Sequence, residues 1–102
     1  FGLLYLNNGN WLGEQILPKN WVEYTTTEAT GSDGIYGAFF WLNKAGTDYP
    51  DVPRDMYSCN GHDGQFIYII PSKELVIVRT GFSQKDEFDQ NGFVAAIVDA
   101  IQ

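Results

Sequence analysis

Met56-Tyr57-Ser58-Cys59-Asn60-Gly61-His62-Asp63-Gly64-Gln65-Phe66-Ile67-Tyr68-Ile69-Ile70-Pro71-Ser72-Lys73-Glu74-Leu75-Val76-Ile77-Val78-Arg79-Thr80-Gly81-Phe82 is the stretch that decides the fold. It reads as a strand over 56–60, a Gly-rich break around the chain's one histidine, and a hairpin of two strands over 65–70 and 75–80. Short β-branched and aromatic runs bounded by Gly, Pro and Asn are strand signals. The last two runs are apolar at nearly every position, which implies a sheet covered on both faces rather than one. Pro71 suits the first corner of a type I turn between them.

Working outward, residues 86–89 are polar and suit the cap of a closing helix. Phe93, Ala96, Ile97, Ala100 and Ile101 follow at helical spacing and predict its buried face. Upstream, Phe1, Leu3, Leu4 and Leu6 form an apolar helical stripe that stops at Asn7-Asn8-Gly9-Asn10. Residues 11–17 read as a loop. Pro18 opens a second short helix, where its missing N–H is harmless, and three threonines and Gly31-Ser32-Asp33-Gly34 end it. The aromatic run 35–42 is a further strand candidate, and 43–54, with Pro50, Pro53 and several acids, reads as a surface loop. The coarse order is helix, helix, three strands, helix. Sequential strands joined this way should be antiparallel neighbours, which gives an α+β fold with a three-stranded antiparallel sheet and flanking helices. One terminal helix cannot cover both apolar faces, so something else must pack on the other side.

The 102 residues make one domain at most, 44% hydrophobic and 19% charged, with no run long enough to span a bilayer. Thirteen acids against six Lys+Arg give a formal charge of −7, which argues against a nucleic-acid surface, since phosphate binding needs basic stripes. The single cysteine, Cys59, excludes an internal disulfide. Cys59 and His62 at Cys-x-x-His spacing have no second pair to complete a zinc site. The acids from Asp48 to Asp55 lack the spacing of a calcium loop. No metal and no cofactor is expected. The opening Phe1-Gly2-Leu3-Leu4-Tyr5-Leu6 has neither the basic start nor the cleavage site of a signal peptide, and it reads as the middle of a helix, hence as part of a longer protein.

Taken together, Phe1-Gly2-Leu3-Leu4-Tyr5-Leu6-Asn7-Asn8-Gly9, Trp11-Leu12-Gly13-Glu14-Gln15-Ile16-Leu17-Pro18, Ile35-Tyr36-Gly37-Ala38-Phe39-Phe40-Trp41, Gly61-His62-Asp63-Gly64-Gln65, Tyr68-Ile69-Ile70-Pro71 and Leu75-Val76-Ile77-Val78-Arg79 resemble the C-terminal third of the serine β-lactamase-like hydrolases. That family includes class C β-lactamases, D-alanyl-D-alanine carboxypeptidases and related esterases and amide hydrolases. The resemblance covers essentially the whole chain. It implies a β-lactamase/transpeptidase-like fold and an acyl-transfer site in which a serine of a Ser-x-x-Lys motif attacks an ester, amide or β-lactam carbonyl, helped by a Tyr-x-Asn motif.

Neither motif is present in working form. Ser32, Ser58, Ser72 and Ser83 have no lysine three residues on, and Tyr5-Leu6-Asn7 lies inside the first helix. The resemblance therefore implies a nucleophile upstream of Phe1, with this chain inactive alone. The family's third motif is Lys-Thr-Gly, and His62-Asp63-Gly64 stands in its place. His62 offers a substrate carboxylate a cation only when protonated, which weakens the case for β-lactam hydrolysis. Carried across, His62, Asp63 and Gly64 would contact substrate, and the backbone N–H of Gln65 would be an oxyanion donor, worth on the order of 3 kcal/mol in such chemistry. The expected partners are a small-molecule acyl substrate and either a second copy or the missing N-terminal part, received along the edge of 75–80. The rival expectation is a free-standing non-catalytic binding domain.

Overall fold

The computed structural model describes residues 1–84 and 87–101. Residues 66–70 and 75–78 are apolar on both alternating sets: Phe66, Tyr68, Ile70 and Ile77 are buried on one face and Ile69 on the other, while Val78 stays exposed. The chain folds as α1 (Gly2–Leu6), β1 (Asn10–Trp11), β2 (Glu14–Gln15), α2 (Trp21–Thr25), β3 (Trp41–Leu42), β4 (Tyr57–Asn60), β5 (Phe66–Ile70), a 3-10 turn at Pro71–Lys73, β6 (Leu75–Arg79) and α3 (Gln90–Ala100). Its main sheet has the order β3-β4-β5-β6, every neighbour antiparallel, and β1 and β2 pair separately. The fold is α+β with antiparallel sheets. The main sheet has four strands rather than the expected three, because Trp41 and Leu42 pair with Ser58 and Tyr57.

Phe66, Tyr68, Ile70 and Ile77 meet Val94 and Val98 of α3 in one core, joined by Tyr49, Val52 and Met56. On the opposite face Tyr57 and Ile69 meet Phe40, with Tyr5, Leu6 and Val22 packed against them. The layer missing from the sequence reading is thus supplied largely by α1 and the Phe40 loop. Gly2 permits that close seating: a Cβ there would lie 2.6 Å from Cγ1 of Val76. In α3 the buried residues are Val94 and Val98, one step from part of the expected stripe. Ala96 and Ala100 are exposed, whereas Phe93 and Ile97 pack on the core as expected. Asp89 caps α3, its Oδ1 accepting from the Gly92 N–H at 3.0 Å. Asp86, also in the expected cap, lies outside the described residues.

Three local expectations change. Residues 11–17 are not a plain loop, because Leu12 (φ 51°) and Gly13 (φ 87°) form a tight left-handed turn that pairs β1 with β2. The aromatic run 35–42 is not one strand. Phe39 (φ 70°) reverses it, Tyr36 bridges Trp41, and Ala38 donates to the Thr25 carbonyl. The loop 43–54 is not wholly on the surface, since buried Asn43 donates through Nδ2 to the carbonyls of Tyr49 (3.0 Å), Pro53 (3.1 Å) and Val52 (3.2 Å). Those bonds hold Tyr49 and Val52 in the α3-side core.

Candidate functional site

β4 ends at Asn60, paired with Phe66, and residues 61–65 are the hairpin turn that carries the chain into β5. The Gly61 N–H closes the turn by donating to the Gln65 carbonyl at 2.7 Å. Reversal over so few residues uses two left-handed positions, Asp63 (φ 54°) and Gly64 (φ 85°). Asp tolerates that region better than most residues, and Gly freely. The Gln65 side chain bonds back to the His62 carbonyl at 3.1 Å.

An arginine from β6 fixes this turn from outside. Arg79 donates through Nη1 to the Gly64 carbonyl and through Nη2 to Ser83 Oγ at 2.7 Å. Its guanidinium carbon sits 3.9 Å from the centre of the Phe88 ring, a cation–π contact. The Ser83 N–H donates to the Asp63 carbonyl at 2.8 Å, so the turn is bonded to the 83 segment directly at one point and through Arg79 at a second. Gly64 is required by this packing as well as by its dihedral, for a Cβ would lie 2.5 Å from Arg79 Nη1 and 3.2 Å from Ser83 Cβ. The sequence reading gave Gly64 the task of letting a strand approach substrate. What approaches Gly64 in the structure is Arg79 and Ser83.

The turn stands between two clefts. On the α3 side a polar cleft of about 420 Å³ is lined by Asn60, Asp63, Gly64, Ser83, Phe88 and Gln90, among others. It adjoins a second of about 400 Å³ through shared Asn60, Phe88 and Gln90. On the opposite side a mainly apolar cleft of about 320 Å³ is lined by Cys59, Gln65, Ile67, Val78 and Thr80, among others. Cys59 faces Ile67 and Ile67 faces Val78 in the strand register, so these three form one row across the sheet. Val78 is 61% exposed. Burial pushes the Cys59 thiol above its ordinary pKa, which keeps it protonated and unreactive near neutrality.

The expected site residues are therefore divided. Asp63 and Gly64 line the polar cleft, Gln65 lines the apolar one, and His62 lines neither. The His62 side chain is 89% exposed, and its only ionic neighbour among the described residues is Asp63, with Nε2 3.0 Å from Oδ2. Among the described residues the Gln65 N–H meets no hydrogen-bond acceptor. No cluster of three or more His, Cys, Asp or Glu among the described residues could hold a metal, and no described helix is long and apolar enough to cross a membrane. Arg79, Ser83 and Phe88 were missed from sequence. Arg79 reads there as the polar end of a strand, and nothing local signals a bond to a carbonyl fifteen residues back. No protein-family model matches the chain, and comparison with curated proteins gives no match.

Proposed function

We propose that this chain is the C-terminal part of a serine hydrolase of the β-lactamase-like type, acting on an ester, amide or β-lactam-type acyl bond. It supplies one wall of the site and, through the Gln65 N–H, an oxyanion donor. The observation that carries this reading is that donor: without an acceptor among the described residues, in a turn anchored by Arg79 and Ser83, on a residue that lines a mainly apolar cleft suited to an acyl group. Support also comes from the order of elements, in which helices on both faces of an antiparallel sheet leave the β4–β5 turn open. The nucleophile comes from residues outside this sequence, which has no Ser-x-x-Lys. An oxyanion donor without a nucleophile forms no acyl-enzyme. The unpaired edge of β6 receives either the remainder of the polypeptide or a second copy, as exposed strand edges do.

The experiment is hydrolysis of nitrocefin and of p-nitrophenyl esters by the 102-residue chain, alone and joined to the polypeptide encoded upstream. Turnover is expected only from the joined form, and serine-dependent turnover by the chain alone would refute the division of labour. A second reading, a self-contained binding domain, is favoured by one observation: within this chain α3 packs on one face of the sheet and α1 on the other. A monomer that unfolds cooperatively and binds no upstream segment would support it instead.

A further inference from the structure

Gly64 C=O and Gln65 N–H belong to one peptide group, whose oxygen is held by Arg79 while its N–H meets no acceptor among the described residues. Arg79 Nη1 donates to the oxygen, Nη2 is held by Ser83 Oγ at 2.7 Å, and the Phe88 ring lies under the guanidinium at 3.9 Å. The cation at the oxygen end of this peptide group is thus fixed by three contacts. In a trans peptide the C=O and N–H point in opposite directions, so the N–H is turned away from Arg79. It is the N–H that meets no acceptor among the described residues. A charged donor on the carbonyl oxygen also withdraws electron density through the amide, and hydrogen bonds linked in this way strengthen one another.

We infer that Arg79 is a positioning residue: by holding the Gly64 carbonyl it aims the Gln65 N–H outward and makes it a stronger donor to the carbonyl oxygen of an acyl ligand. The ligand class rests on the hydrolase reading above, whereas the effect of Arg79 on the amide does not. Ser83 and Phe88 serve the same end by fixing the guanidinium. A neutral side chain in place of Arg79 would leave Gln65 in the turn but remove the charge behind its amide.

Hydroxide-catalysed hydrogen exchange of the Gln65 N–H, followed by NMR on the whole chain, reads this directly. Hydroxide takes the amide proton to form water and leaves the negative charge of the imidate largely on the Gly64 oxygen, where Arg79 sits, until solvent reprotonates the nitrogen. In the unaltered protein Gln65 is expected to exchange faster than an exposed Gly-Gln amide in a peptide. Arg79→Met is expected to slow it by at least about fivefold, the scale of one charge acting over about 4 Å when fully screened by water, and Arg79→Lys to recover most of that. A purely structural role gives the opposite sign, because a loosened turn speeds exchange, first at Ser83, whose N–H is bonded to Asp63. Gln65 exchange that is unchanged or faster in a folded Arg79→Met variant overturns the inference. So does a Lys variant as slow as Met. If Arg79→Met does not fold, the comparison of the unaltered protein with the peptide decides, and a rate at or below the peptide's refutes the proposal. Loss of the hydrolase reading would leave all these rates as they are.

Discussion

Gly64→Ala separates backbone strain from packing in the β4–β5 turn. At φ 85° an alanine meets the left-handed penalty of about 1–2 kcal/mol. Its Cβ would also lie 2.5 Å from Arg79 Nη1 and 3.2 Å from Ser83 Cβ, an overlap of the kind that costs about 1–3 kcal/mol. Alanine restricts the unfolded chain as well, which returns about 0.4–1 kcal/mol. The expected net loss is about 1–4.5 kcal/mol, centred near 3, a large share of the 5–15 kcal/mol typical of small domains. Gly13→Ala is the matched control: its φ is 87°, and a Cβ there meets nothing within 4 Å. It should therefore show the strain alone, about 1 kcal/mol. Equilibrium urea unfolding of the three proteins reads both values. A Gly64→Ala loss no greater than that of Gly13→Ala would refute the close packing of Arg79 and Ser83 on the turn.

Tyr57→Phe removes a buried hydroxyl that has no hydrogen-bond partner among the described residues, so it should be neutral or stabilise by about 1 kcal/mol. A clear fall in melting temperature would show that the hydroxyl is bonded. Asp89→Ala deletes the side chain that accepts from Gly92 and should cost about 1 kcal/mol, read by urea titration, with the loss confined to α3 in amide exchange. Burial pushes the hydroxyls of Tyr49, Tyr57 and Tyr68 above their ordinary pKa of 10. The folded state then holds protons that the unfolded chain releases. Stability should be intact below pH 10 and fall above it by up to about 1.4 kcal/mol per pH unit for each tyrosine. Urea midpoints that do not change between pH 9 and 11 would contradict this.

β5 and β6 were legible because their information is local. Each is a β-branched and aromatic run closed by Gly or Pro, and Pro71 starts the turn between them as expected, though the turn is 3-10, with Glu74 left-handed at φ 49°. The four-stranded order was not legible. β3 is only Trp41–Leu42, and the aromatic residues before it pack through Phe39's reversal rather than by extension. The β1–β2 hairpin hides for a similar reason: Leu12 occupies a left-handed turn position usually marked by Asn, Asp or Gly. In α3, Phe93 and Ile97 were placed on the core correctly, but Val94 and Val98 are deeper, and helical spacing alone does not choose between adjacent faces. At the candidate site the Gly-rich turn and its flanking strands could be read from the chain. The roles inside it could not, since Arg79 reaches Gly64 only after β5 and β6 have paired.

The most direct test of the proposed function is to read the coding sequence upstream of Phe1 in the same frame. An open frame encoding a Ser-x-x-Lys motif is the expected result, with that serine carrying the acyl group after exposure of the encoded protein to a labelled acylating substrate. An initiation signal directly before Phe1, or an open frame whose product has no such motif, would contradict the hydrolase reading and leave the self-contained binding domain in its place.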